Sequence, residues 1–124
     1  MAVSMALTLR NNRLDQITSF AGTLAKLRIY TAAYGAQLCE IICNATFAPA
    51  AAGGVLTLNP VAVGIATAAG TAAIARILKT DGTTMVIEGL TVAVSGANVN
   101  LTNLSMAIND TVTITAATIT EGNP

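Results

Sequence analysis

The chain has 124 residues, of which 53% are apolar and only 10% charged, against about 25% charged in an ordinary soluble domain. Six basic and six acidic residues cancel to zero net charge, which excludes the basic field that nucleic acid or an anionic membrane surface would require. The length sets one domain, 1–124, with enough chain to bury a core without a disulfide or a metal.

The opening MAVSMALTLRNNRLDQ has no basic start, and Arg10 interrupts its apolar run, so no export signal is expected. A helix is predicted over about 12–21. Leu14, Ile17 and Ala21 share one face, Asn11 or Asn12 caps the start, Asp15 lies in the first turn, and Gly22 follows the end. The period then changes to two. In AKLRIYT, Leu27 and Ile29 alternate with Lys26, Arg28 and Tyr30, a strand with one wet or contact face. QLCEIIC is a second strand, and FAPAAAGGV a loop, the only place where disorder is allowed for. Cys39 and Cys43 lie too far apart on a strand for a disulfide and read as small buried apolar groups, with a reactive or intermolecular thiol as the alternative.

VLTLN and VAVGIAT are strands parted by Asn59-Pro60. Asp81-Gly82 turns the chain between two β-rich runs. Gly89 breaks the returning strand, and Leu90, Val92 and Val94 begin another before the turn at SGAN. Val99 and Leu101, then Leu104, Met106 and Ile108, fall on alternating positions, with Met106 in the core. After the Asn109-Asp110 turn, TVTITAATIT carries Val112, Ile114 and Ala116 on one face. Ile119 has the wrong parity for that face, so a bulge is predicted at Ala116-Ala117. Eight to ten short strands over about 26–120, after one helix, predict a mainly antiparallel all-β sandwich or barrel.

Residues Ile41 to Ala75 contain no charged side chain. Asn44, Pro49, Asn59, Pro60 and the Gly53-Gly54 pair argue against a membrane span, and the flanking Val, Ile and Leu with period two argue against disorder. Strands remain, with Thr, Ala, Asn and Gly at outward positions where free sheets carry charge. Neutral small side chains are desolvated cheaply, whereas a buried charge needs a partner. Coverage by other subunits is therefore expected. The alternative is a Thr-rich sandwich kept in solution by its hydroxyls and amides.

No histidine is present, which removes the commonest general base and most zinc sites, and two cysteines cannot complete a metal site alone. The carboxylates Asp15, Glu40, Asp81, Glu88, Asp110 and Glu121 are scattered, and no phosphate-binding glycine loop occurs. No enzyme, cofactor or metal is expected. Arg10, Arg13, Lys26 and Arg28 cluster near the start. They read either as a docking edge for an acidic partner or as solvated faces. Four Asn-x-Ser/Thr sequons carry no weight in so Asn- and Thr-rich a chain.

The order LRNNRLDQI, AKLRIYTA, a neutral Ala/Gly/Thr middle, ARILKTDGTTMVIEGLTV, SGANVNLTNLSM and a Thr-alternating last strand resembles small tailed-phage virion proteins, the capsid decoration or cement proteins. The resemblance implies a jelly-roll-like β-sandwich on the capsid exterior, made in the host cytoplasm. It implies binding to the major capsid protein and to itself as a dimer or trimer, with neither nucleic acid nor membrane as partner. Arg10, Arg13 and Asp15 are the candidate polar contacts, and Arg28, Tyr30 and Tyr34 the candidate contacts on the first strand and its flank. The alternative for the tyrosines is that they only cap the sandwich. A tail-borne receptor- or glycan-binding module is the rival function, disfavoured by a total of four aromatics.

Overall fold

A computed structural model describes residues 6–59, 61 and 63–120. The first five residues, Pro60 of the Asn59-Pro60 break, and Glu121 lie outside them. One helix, α1 (Leu7–Ala21), precedes eleven strands. These are β1 (Lys26–Tyr30), β2 (Gln37–Ile42), β3 (Val55–Thr57), β4 (Gly64–Ile65), β5 (Gly70–Thr71), β6 (Ile74–Leu78), β7 (Met85–Ala93), β8 (Val99–Leu101), β9 (Ser105–Met106), β10 (Thr111–Val112) and β11 (Ile114–Thr120). The protein is therefore all-β with one short N-terminal helix, as the change of period predicts. Seven strands form one sheet in the order β2-β1-β6-β7-β8-β11-β3, and β4–β10 and β5–β9 form two ribbons.

Alternation decides which side of the sheet is dry. Leu27 and Ile29 of β1 face Ile41 and Cys39 of β2 on one side and Ile77 and Ala75 of β6 on the other. All six are sealed from solvent. Leu90, Val92, Val99, Leu101, Ala117 and Ile119 continue the same core, and Leu14 and Ala21 of α1 close over it. The helix packs against both β3 and β7. The ribbon strand β4 lies on β2, where a Cβ on Gly64 would come within 2.6 Å of both Cys39 Sγ and Ile41 Cγ1. Only a residue without a side chain permits that approach.

The helix begins five residues before the predicted start, at Leu7 rather than Asn12. Asn11 and Asp15 do not cap it. They reach out of its body to the loop after β2, where Asn11 Oδ1 accepts the Gly54 N–H at 2.9 Å and Asp15 Oδ1 accepts the Ala51 N–H at 2.7 Å. The loop in which disorder was allowed for is thus pinned to the helix by side chains more than thirty residues away in sequence.

Gly89 does not end its strand. β7 runs unbroken from Met85 to Ala93, and Gly89, at φ 77°, sits where its register with β6 shifts between Ala75 and Ile77. The bulge in β11 is also real, but it falls between Ile114 and Ala116, so Thr115 is the extra residue and Ala117 and Ile119 share the buried face. Ile108 is 61% exposed beside the Asn109-Asp110 turn. Met106 is buried as expected.

One pairing departs from the antiparallel pattern. β7 and β8 run parallel over two residue pairs, Val92↔Val99 and Ala93↔Asn100. Parallel neighbours normally need a crossover of a dozen residues or more. Here Asn98 holds the short connection in place. Its Oδ1 accepts from the Thr91 backbone and hydroxyl at 3.1 and 3.0 Å, and its Nδ2 donates to the Thr118 carbonyl at 3.2 Å. Asn98→Ala leaves Thr91 of β7 and Thr118 of β11 short of partners and should cost about 1–3 kcal/mol. Urea unfolding checks this, and a loss below about 0.5 kcal/mol would show that the backbone ladder alone sets this register.

Candidate functional site

The outward face of β2-β1-β6 gathers Lys26, Arg28, Glu40 and Arg76 beside the two tyrosines of the chain. Register puts Arg28 opposite Glu40 on one side and opposite Arg76 on the other, while Lys26 and Tyr30 share its face of β1. Arg28 Nε donates to Glu40 Oε2 at 2.7 Å, and Lys26 Nζ lies 3.8 Å from Glu40 Oε1. One carboxylate thus serves two cations. Desolvation works against the Arg28 charge, yet the hydrogen bond to Glu40 and the Glu40 charge outweigh it, and Arg28 stays firmly protonated.

Beside this pair the two tyrosines of the chain meet edge to face, with ring centroids 5.3 Å apart and planes at 74°. The guanidinium of Arg76 lies in their corner, its Cζ 4.7 Å from the Tyr30 centroid and 5.3 Å from the Tyr34 centroid. Arg76 Nε donates to the Tyr30 hydroxyl at 3.0 Å, and that hydroxyl reaches Gln37 Oε1 at 3.5 Å. Tyr34 ends the 3₁₀ turn Ala32–Tyr34 with φ 56°, a backbone region that costs a bulky side chain free energy. Its hydroxyl accepts the N–H of Gly89 at the β7 bulge and approaches the Ala75 carbonyl at 3.5 Å, so the hydroxyl end of the ring is tied to both β6 and β7.

The structure brings Arg28, Tyr30 and Tyr34 together. It does not bring Arg10, Arg13 and Asp15 to them. Asp15 serves the loop at Ala51, and the Arg10 side chain lies against Gly54, which leaves these two at the junction of α1 with that loop, while Arg13 is exposed on α1. Arg76 escaped the sequence reading because its partners come from β1 and the 3₁₀ turn, more than forty residues earlier. The available signal was its outward parity in AAIARILK, between Ile74 and Leu78.

The remaining features are modest. A shallow cleft of about 200 Å³ lies between β3 and β11, lined by Thr57, Asn59, Val61 and Thr115 among others. Asp81 accepts from the Thr83 and Thr84 N–H groups and from the Thr84 hydroxyl. These bonds hold its carboxyl well below the usual range and organise the β6–β7 turn. Among the described residues no three metal-ligating side chains converge, and no helix is long and apolar enough to cross a membrane.

Both cysteines are buried and free. Burial, with the Glu40 charge adding, pushes the Cys39 thiol up to about 11, and burial pushes Cys43 up to about 12. An unfolded thiol ionises near about 8.5, so above that pH the folded state binds more protons than the unfolded one. Stability should therefore fall as pH rises from about 8.5 towards 11 or 12. Urea midpoints at pH 7.5 and pH 10 test this, and Cys39→Ala with Cys43→Ala should flatten the dependence. A thiol reagent at pH 8 should label both positions in denaturant and neither in the native protein. Rapid native labelling would contradict the packing described.

No family model matches the chain, and no curated protein or solved structure emerges as a match to it.

Proposed function

We propose that this protein is a structural subunit that works by docking onto a larger protein assembly, specifically a decoration or cement subunit on the exterior of a phage capsid. In this reading the fold is a jelly-roll-like sandwich whose second layer comes from the two ribbons. The chain bridges neighbouring major capsid protein subunits and associates with copies of itself. Its action is multivalent. A weak contact to one shell subunit raises the effective concentration of the next contact, so bridging a seam stabilises it beyond either contact alone.

The observation that carries the reading is the character of the surface. Among the described residues nine large apolar side chains are 38–61% exposed, on α1 (Leu7, Leu9, Phe20), after it (Leu24), at the end of β2 (Ile42), on and before β4 (Ile65, Val63) and in loops (Val94, Ile108). Between them runs a stretch of 35 residues without a charge, Ile41 to Ala75. Such a surface loses little on desolvation and gains from being covered. The face of Arg28, Tyr30, Tyr34 and Arg76 supplies the polar, orienting part of the contact.

The test is co-sedimentation of the purified protein with heads that lack it. Saturable binding at a fixed number of copies per shell, with a raised temperature of head rupture, is the expected result. Failure to bind heads, together with specific retention on a glycan array, would replace this reading with the tail-borne receptor module.

A further inference from the structure

We propose that Arg76, held in the corner of Tyr30 and Tyr34, is the receptor for a carboxylate presented by an acidic segment of a partner protein. The inference rests on the docking role above and names the chemistry of its polar anchor. Three cations, Lys26, Arg28 and Arg76, share this face, and Glu40 pairs with the first two. Arg76 has no carboxylate partner among the described residues. The nearby acids do not supply one, since Asp81 turns its oxygens to Thr83 and Thr84, and Glu88 on β7 is exposed without an ion pair there.

The guanidinium is nevertheless fixed. Its Nε edge is spent on the Tyr30 hydroxyl, and both rings lie within 5.3 Å of Cζ. This leaves the edge bearing the two terminal nitrogens, which presents paired donors in the geometry a carboxylate accepts from two sides. Immobilising an arginine normally costs rotamer freedom on binding, and here that cost is already met within the fold. The strained φ of Tyr34 marks the same corner as a place where local backbone preference yields to position. Nucleic acid fits less well. Tyr30 is 5% exposed, and the Arg76 guanidinium already lies against both rings where a base would stack.

Tyr30 and Tyr34 are the only tyrosines and there is no tryptophan, so intrinsic emission reports on this corner alone. Titration with a hexaglutamate peptide should change the tyrosine emission saturably, whereas hexaglutamine should not, and added salt should weaken the response. Arg76→Gln should weaken hexaglutamate binding at least about tenfold, the loss expected for a charge-assisted pair. Arg76→Lys, which keeps the charge and loses the fork, should fall between. Lys79→Gln, at the cation stacked on Phe20, should bind as the parent does. Far-ultraviolet circular dichroism establishes that each variant is folded.

An equal response to hexaglutamine, an unaltered response in folded Arg76→Gln, or saturation by inorganic phosphate at lower concentration than by the peptide would each overturn the assignment. The docking role fails separately. Peptide binding without association to heads keeps the receptor and removes the assembly. Binding to heads that is indifferent to Arg76→Gln removes the receptor and keeps the assembly.

Discussion

Replacing Leu27 by Ala should lower the unfolding free energy by about 3–5 kcal/mol, the range for emptying a leucine site in a well-packed core. Leu27 is wholly buried on β1, which pairs with β2 on one side and β6 on the other. Its neighbours across the ladders, Ile41 and Ile77, are each fixed by their own strands and have little freedom to collapse into the void. Leu24→Ala, three residues earlier and 48% exposed, should change stability by no more than about 0.5 kcal/mol. Urea denaturation of both variants at an unchanged m-value makes the comparison. A Leu27→Ala loss below about 1 kcal/mol would mean that β1 is not the centre of the core.

Gly64→Ala should cost about 1–3 kcal/mol, from overpacking rather than from a void. The backbone conformation at Gly64 is open to any residue, so the penalty is purely one of space. The new methyl would lie 2.6 Å from Cys39 Sγ and 2.6 Å from Ile41 Cγ1, both on the buried face of β2. Neither atom can withdraw without moving the strand. Removing the sulfur with Cys39→Ala should therefore reduce the penalty, with a coupling of about 0.5 kcal/mol or more in a double-mutant cycle. Additive effects would mean that the β4–β10 ribbon is not seated on β2.

These two positions mark the boundary of what the chain discloses residue by residue. Leu27 is legible because apolar Leu27 and Ile29 alternate with polar Lys26, Arg28 and Tyr30 along β1, and the Thr-rich β11 and the turn at Asp81-Gly82 are legible from their residue types. Gly64 is not legible, because what makes it necessary is the approach of β2, more than twenty residues earlier. The helix start was misplaced for the same reason. Asn11 and Asp15 carry the chemistry of caps, yet they bond to Gly54 and Ala51 across the fold. The parallel β7–β8 pair depends on Asn98, whose bonds to Thr91 and Thr118 no local pattern announces.

The candidate site divides along the same line. Arg28, Tyr30 and Tyr34 stand out in a chain with six basic residues and two tyrosines. Arg76 completes their cluster only through the β1–β6 register, which pairs it with Arg28 and sets it beside Tyr30. Arg10 and Asp15 attract notice for the same scarcity of charge, and the fold uses them at the α1–loop junction instead.

The central claim is that the exposed apolar and neutral surface is made to be covered by a protein shell. Cryo-electron microscopy of the phage heads to which the proposal assigns this chain tests it most directly. The account predicts density for the protein on the outer surface, across seams between shell subunits, with Arg76 and the two tyrosines turned towards an acidic segment of the shell. Heads without that density, alongside a purified protein that stays monomeric at high concentration and binds no particle, would contradict it.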